Sequence, residues 1–359
     1  MEQSSRVAGA PAIGAVHGRR TVLLTGASGV VGQGLLPRLS DMDVICLVHR
    51  TPVAHRGVTS IRGDLTQVNL GLSDAEYAQL ARKVDAVIHS GAVTGFSRND
   101  GTLEKTNVDG TRRVLEFAER ADATVYHVST AYLHAKADGE RGRTAATYAA
   151  SKRAGEDVVR SSSARHVILR PSIVIGDSGT GGISAFQGLY MVAAAILGSL
   201  VPLIPFDPAW PIDFVPNDVV ADAIATTVER ELTSGEFWIT AGEQALRLEE
   251  AVTLCADLGL ELGSPVDRPR FIPPDVFDRL VAPVFLDALP RRVRLTVTRL
   301  LEFFTVYLAM DTALPSSLAE LAGLGAKPLP DQRATLLNSL RYWATATGRD
   351  GAEPESQVA

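Results

Sequence analysis

Short apolar runs alternate with amphipathic stretches as far as Arg170. Thr21–Leu24, Val44–Val48, Thr59–Arg62, Ala86–His89, Thr124–Val128 and His166–Leu169 read as strands. Helices are expected at Val30–Leu39, Asp74–Lys83, Thr102–Arg120 and Tyr148–Val159. The third carries Val108, Val114, Leu115 and Phe117 at helical spacing. Strands alternating with helices predict βαβ units, and so an α/β fold of the Rossmann type: a doubly wound parallel sheet with helices on both faces. After Pro171, Gly and Pro become frequent and helices take over, at Glu249–Leu258, Pro274–Val281, Arg291–Ala309 and Ala334–Thr347. A smaller, mainly helical C-terminal substrate domain is expected there.

Composition narrows this picture. With 46 % apolar and 21 % charged residues, the 359-residue chain has enough apolar surface for one large domain and an appendage. A net charge of −6 argues against a nucleic-acid binder. Two cysteines, Cys46 and Cys255, exclude a disulfide framework and suit a cytoplasmic setting. Residues 1–20 lack the apolar core of a signal peptide and read as a disordered leader. No charged residue stands between Asp177 and Asp207, yet Gly198, Pro202 and Pro205 interrupt this apolar stretch. A buried or substrate-facing segment is expected over a membrane span, so no firm membrane association is foreseen.

The first strand runs into Thr25-Gly26-Ala27-Ser28-Gly29-Val30-Val31-Gly32, a GxxGxxG turn that opens a helix. Gly26 permits the turn, Gly29 lets backbone approach a pyrophosphate, and Gly32 lets helix and sheet pack. The helix N-terminus adds free N–H groups for phosphate. At the end of the second strand stand His49 and Arg50, with no acid between Asp43 and Asp64. An arginine there suits a 2′-phosphate, so NADPH is the expected cofactor. Asp64 and Leu65 follow the third strand, where Asp64 is expected to accept from an adenine amino group. Ser90, Gly91 and Ala92 follow the fourth, where small side chains let a cofactor lie on the backbone.

Tyr148 and Lys152 form YxxxK at the start of the fourth expected helix, which places both side chains on one face. An ammonium beside the tyrosine is expected to lower its pKa and ready it for proton exchange. Ser129 and Thr130 end the fifth strand, where a hydroxyl can donate to a developing oxyanion. Arg291, Arg292, Arg294 and Arg299 form a basic run that reads as a solvated face or a landing patch for an acidic carrier.

The glycine turn, Gly63-Asp64-Leu65, Thr106-Asn107-Val108-Asp109-Gly110-Thr111, Tyr148/Lys152 and Arg170-Pro171-Ser172 together resemble an extended short-chain dehydrogenase/reductase. His89-Ser90-Gly91-Ala92, His127-Val128-Ser129-Thr130-Ala131-Tyr132 and Asp213-Phe214-Val215-Pro216-Asn217-Asp218-Val219-Val220 resemble its male-sterility or thioester-reductase branch, which includes fatty acyl-CoA reductases. The likeness covers about Thr21 to Thr240. It implies Tyr148 as proton donor, Lys152 as its partner and a ribose ligand, and Thr130, ahead of Ser129, on the substrate oxygen. It implies Gly26, Ser28, Gly29, Val30, Val31 and Gly32 around the pyrophosphate, Arg50 on the 2′-phosphate, and Pro171 and Ser172 beside the nicotinamide. No metal is implied.

The resulting expectation is an NADPH-dependent reductase of an acyl thioester, carried by CoA or an acyl carrier protein, with an apolar acyl or polyketide-like chain. Aldehyde and alcohol products stay open, as do monomer and homodimer. The same machinery would serve a ketone, aldehyde or alcohol. A nucleotide-sugar epimerase or dehydratase fits less well; Ala131 and Tyr132 stand where a dehydratase usually places acids. A cofactor-sensing protein has no need of the Thr130, Tyr148 and Lys152 set. The expected division is a dinucleotide-binding domain over 21–175, rejoined by segments around 211–240, a substrate region over 176–350, and a tail over 351–359.

Overall fold

The computed structural model describes residues 19–94, 101–133, 143–284, 294 and 311–349. The leader, the tail and, Arg294 apart, the expected helix Arg291–Ala309 with its basic run lie outside the described residues. The N-terminal half follows the alternation read from its pattern: β1 Thr21–Thr25, α1 Val30–Arg38, β2 Asp43–Val48, β3 Val58–Arg62, α2 Asp74–Ala81 and β4 Ala86–His89. Then come α3 Gly110–Ala121, β5 Thr124–Val128, α4 Arg143–Ser161 and β6 His166–Pro171. Ser73 and Glu76 start α2 by reciprocal capping: Glu76 N–H donates to Ser73 Oγ at 3.4 Å and Ser73 N–H to Glu76 Oε2 at 2.9 Å.

Beyond β6 the chain forms β7 Ile173–Ile175, α5 Leu189–Leu197, β8 Phe214–Pro216, α6 Asn217–Glu229, β9 Glu236–Ile239, α7 Leu248–Glu261, α8 Leu318–Gly323 and α9 Gln332–Ala346. Seven strands make one parallel sheet in the order β9-β6-β5-β4-β1-β2-β3. The order reverses at β1, where the carboxyl ends of β1 and β4 part into a crevice. Val22 and Leu24 point into a core shared with α1 and α6, and Leu23, Val87 and Val125 into one shared with α2, α3 and α4. Burial on both faces explains why these strands are apolar throughout.

The structure differs from the pattern in three places that matter for the site. Helix α4 begins at Arg143, so Tyr148 sits in its second turn and not at its start. The expected helix Thr102–Arg120 is broken by a π turn at Lys105–Asp109, whose wider loop re-aims Asn107. Strand β9 and helix α6, absent from the strand and helix assignments, complete the sheet side by pairing with β6 and packing on α1.

Within the uncharged stretch, helix α5 is mostly core. Leu189, Tyr190, Val192, Ala193, Ala195 and Ile196 of α5 are buried with residues of α7 and α9. No helix among the described residues is long and apolar enough to cross a membrane.

Candidate active site

Two adjoining cavities open at the carboxyl edge of the sheet. The first, of about 440 Å³, is lined by Gly26, Ser28, His49, Arg50, Asp64, Leu65, Gly91 and Ala92 among others. Gly26 adopts φ +75°, and a Cβ there would stand 2.6 Å from the Ser90 carbonyl and Gly91 nitrogen. Only glycine lets the β1 and β4 loops touch in this way. A Cβ on Gly29 would meet nothing nearer than Gly26 O at 3.3 Å, so the space before the α1 N-terminus stays open. No side chain caps that terminus, which leaves its N–H groups for an anion. This cradle fits a dinucleotide pyrophosphate. Gly32 lines neither cavity; it packs α1 against the turn.

Asp64 differs in part from its expected duty. Its Oδ1 accepts from Thr66 N–H and Oγ1, both at 2.8 Å, and its Oδ2 lies 3.6 Å from His49 Nε2. Partial burial pushes its pKa up, but the Thr66 bonds and the charges of His49 and Arg50 outweigh that and lower it. One carboxylate oxygen is thus spent on holding the loop. Arg50 remains exposed on the cavity wall, with no acid bonded to it among the described residues.

The second cavity, of about 290 Å³, gathers Val30, Val31, Ser90, Ser129, Thr130, Tyr148, Lys152, Pro171 and Ser172. Ser129 N–H and Ala131 N–H bond to Leu169 O and Pro171 O at 2.7 and 2.9 Å, which fixes Thr130 just past the β5–β6 ladder. Lys152 Nζ donates to Val128 O at 2.9 Å. Burial pushes Lys152 down to about 8, against the opposing pull of Glu156. Tyr148 does not have the lowered pKa expected from an ammonium neighbour. Burial pushes it up to about 12, because a phenolate stripped of water is costly. The phenol is therefore a proton donor at neutral pH.

Several supporting residues carried no readable signal of their role. Asn107 Nδ2 donates to Ser151 Oγ at 3.0 Å and to Val93 O at 3.1 Å, and its Oδ1 accepts from Val93 N–H at 2.8 Å. Ser151 Oγ donates to Tyr148 O at 2.8 Å, so the π turn braces the second turn of α4. Thr111 donates to Asn107 O and accepts from His89 Nε2 at 3.1 Å, while Thr25 Oγ1 donates to His89 Nδ1 at 2.8 Å. These bonds set the His89 tautomer. His127 lies 5.4 Å from His89, centroid to centroid, and among the described residues neither of its ring nitrogens has a hydrogen-bond partner.

The outer wall comes from Ile173, Val174, Ile183, Ala185, Gln187 and Gly188. The segment before α5, and not α5 itself, faces the pocket. Asp213, 4 % exposed, accepts from Ala241 N–H and Gly242 N–H at 2.9 Å each and ties the loop after β9 beneath this wall.

Residues 51–224 match the family model described as male sterility protein. The hybrid PKS-NRPS synthetase poxE of Penicillium oxalicum is 32 % identical over 235 residues, which is 57 % of this chain and 6 % of that protein. The chain thus spans a small fraction of such a relative. The terminal R domain from the myxalamid PKS-NRPS biosynthetic pathway superimposes with a TM-score of 0.74 at 24 % identity, over 95 % of this chain and 94 % of that one. A thiolation-reductase di-domain from an archaeal non-ribosomal peptide synthetase gives 0.70 at 15 % identity, over 92 % and 76 %. With its glycine cradle, YxxxK pair and seven-stranded parallel sheet, the chain is similar to the male sterility protein family over residues 51–224 and shares the Rossmann-type fold of these R domains.

Proposed function

We propose that this chain reduces a carrier-bound acyl thioester with NADPH, releasing an aldehyde and a thiol. The observation that carries the proposal is the convergence of Thr130, Tyr148 and Lys152 on one cavity whose facing wall is the α1 N-terminus. The PKS-NRPS relative and the thiolation-reductase likeness support a carrier-bound thioester over a CoA ester. Gly26, Ser28, Gly29, Val30 and Val31 would hold the pyrophosphate, Arg50 the 2′-phosphate, and Ser90, Pro171 and Ser172 the nicotinamide end. The cofactor supplies the hydride. Thr130 and Tyr148 hold the substrate carbonyl oxygen, and the negative charge gathered there meets two preorganised hydroxyl donors. Tyr148, protonated at neutral pH, gives its proton to that oxygen, and the resulting hemithioacetal breaks its C–S bond, its hydroxyl proton passing to the departing thiolate, to give aldehyde and thiol. Lys152 keeps positive charge beside the phenol as the proton leaves. Ile183, Ile173 and Val174 offer an apolar chain a surface worth about 0.8 kcal/mol per methylene buried.

The test is NADPH consumption with carrier-loaded acyl thioesters of rising chain length, with a nucleotide sugar as control. The expected result is kcat/KM that grows with chain length, an inert control, and turnover at least about 10²-fold lower in Tyr148→Phe with NADPH binding intact. Turnover of the sugar, reduction of ketones but no thioester, or full activity in Tyr148→Phe would overturn the reading.

A further inference from the structure

A charged cluster lies behind the reacting groups, and the proposed reaction assigns it no part. Glu156, 0 % exposed, stands four residues beyond Lys152 on α4, one helical turn along the same face. Its carboxylate accepts from Arg170 Nε at 2.8 Å and Nη2 at 2.7 Å. Arg170 also donates to Glu236 at 2.6 Å and lies 4.9 Å above the Trp238 ring. Arg160 joins both acids, at 2.6 Å to Glu156 and 2.7 Å to Glu236.

Pinning β6 to β9 does not call for Glu156. Glu236, which lies on β9 and is partly exposed, already bonds Arg170 across that pair at far lower desolvation cost. What sets Glu156 apart is its nearness to Lys152. The groups that feel the Lys152 charge are Glu156 on its own helix, His89 from β4 and His127 from β5. Both histidines are neutral: burial depresses them, and the Lys152 charge depresses them further. Among the described residues, Glu156 is the one anion that offsets the desolvation of the amine.

We propose that Glu156 is a positioning residue: its carboxylate, clamped by Arg170 one turn from Lys152, keeps that amine in the ammonium form beside Tyr148. The proposal rests on the reading of Tyr148 and Lys152 given above. Removing the carboxylate leaves a buried amine without its counter-charge, so it sheds its proton at lower pH.

The ionisation of Lys152 can be read without substrate or cofactor. The full chain is labelled competitively with acetic anhydride across the alkaline range, and the Lys152 peptide is quantified by mass spectrometry. The wild type should titrate at about 8. Glu156→Gln should titrate lower by about one pH unit or more. Glu236→Gln, which loosens the same cluster away from Lys152, should titrate as wild type. If Glu156→Gln does not fold, the pair Glu156→Gln/Arg170→Met removes both buried charges together, a change such sites tolerate better, and should shift the same way. A wild-type midpoint in either folded variant overturns the role of Glu156. That result is separable from failure of the reductase reading, which shows as a lack of thioester turnover in the wild type whatever Lys152 titrates at.

Discussion

His127→Leu should make the protein more resistant to acid. The imidazole is 2 % exposed, both its nitrogens lack partners among the described residues, and burial holds its pKa well below 6.5. An unfolded chain takes up the proton near 6.5, whereas the folded one refuses it. The group's folded pKa is depressed, so stability is fully present above about 6.5 and is lost as pH falls below it. At pH 5 the unfolded histidine is favoured by about 1.5 pH units, which is about 2 kcal/mol. Against a typical total of about 5–15 kcal/mol that is a large share. Leucine is of similar size, leaves no hydrogen bond unmade and carries no proton. Urea denaturation of both proteins at pH 8 and pH 5 isolates the effect, because every other titrating group is common to the two. The variant should lose about 2 kcal/mol less than wild type between those pH values. A stability difference that stays constant across this range would refute the account of a buried, neutral, unpartnered histidine.

Two further outcomes follow from the geometry. Gly181 has φ +73° and packs against α9, where a Cβ would run into Asn338 O and stand 2.9 Å from Tyr342 Cβ. Gly181→Ala should therefore cost about 2–4 kcal/mol in urea denaturation, and wild-type stability would mean that this loop and α9 are not in contact. NADPH should bind at least about tenfold tighter than NADH, a difference of ~1.4 kcal/mol, and Arg50→Ala should abolish most of it; equal dissociation constants in the wild type would remove Arg50 from the 2′-phosphate.

Local chemistry was legible wherever one residue type serves one purpose. The turn Gly26–Gly32 could be placed because Gly26 and Gly32 answer steric demands that no other residue meets. Thr130, Tyr148 and Lys152 could be placed because their spacing and strand context are specific, and the structure gathers them in one cavity. Long-range packing was not legible. Strand β9, Glu236–Ile239, is short, and its partner residues lie 68 positions earlier, so no local period marks it. The apolar run over α5 reads equally as core or as pocket wall, because burial against other helices and burial against a ligand demand the same side chains. The raised Tyr148 pKa is not legible for a related reason: spacing reveals the neighbouring charge, but not the depth of burial that raises the phenol.

The late arrival of β9 bears on how this chain is made. As the polypeptide leaves the ribosome, the first six strands are complete when β6 emerges, yet its outer edge has no partner until residues 236–239 follow. During that interval the backbone of β6 is an open template, and Arg170 waits without Glu236. Aggregation during synthesis should thus depend on how fast the stretch between β6 and β9 is translated. Slow codons placed there would lengthen the exposure, and slow codons after residue 240 would not.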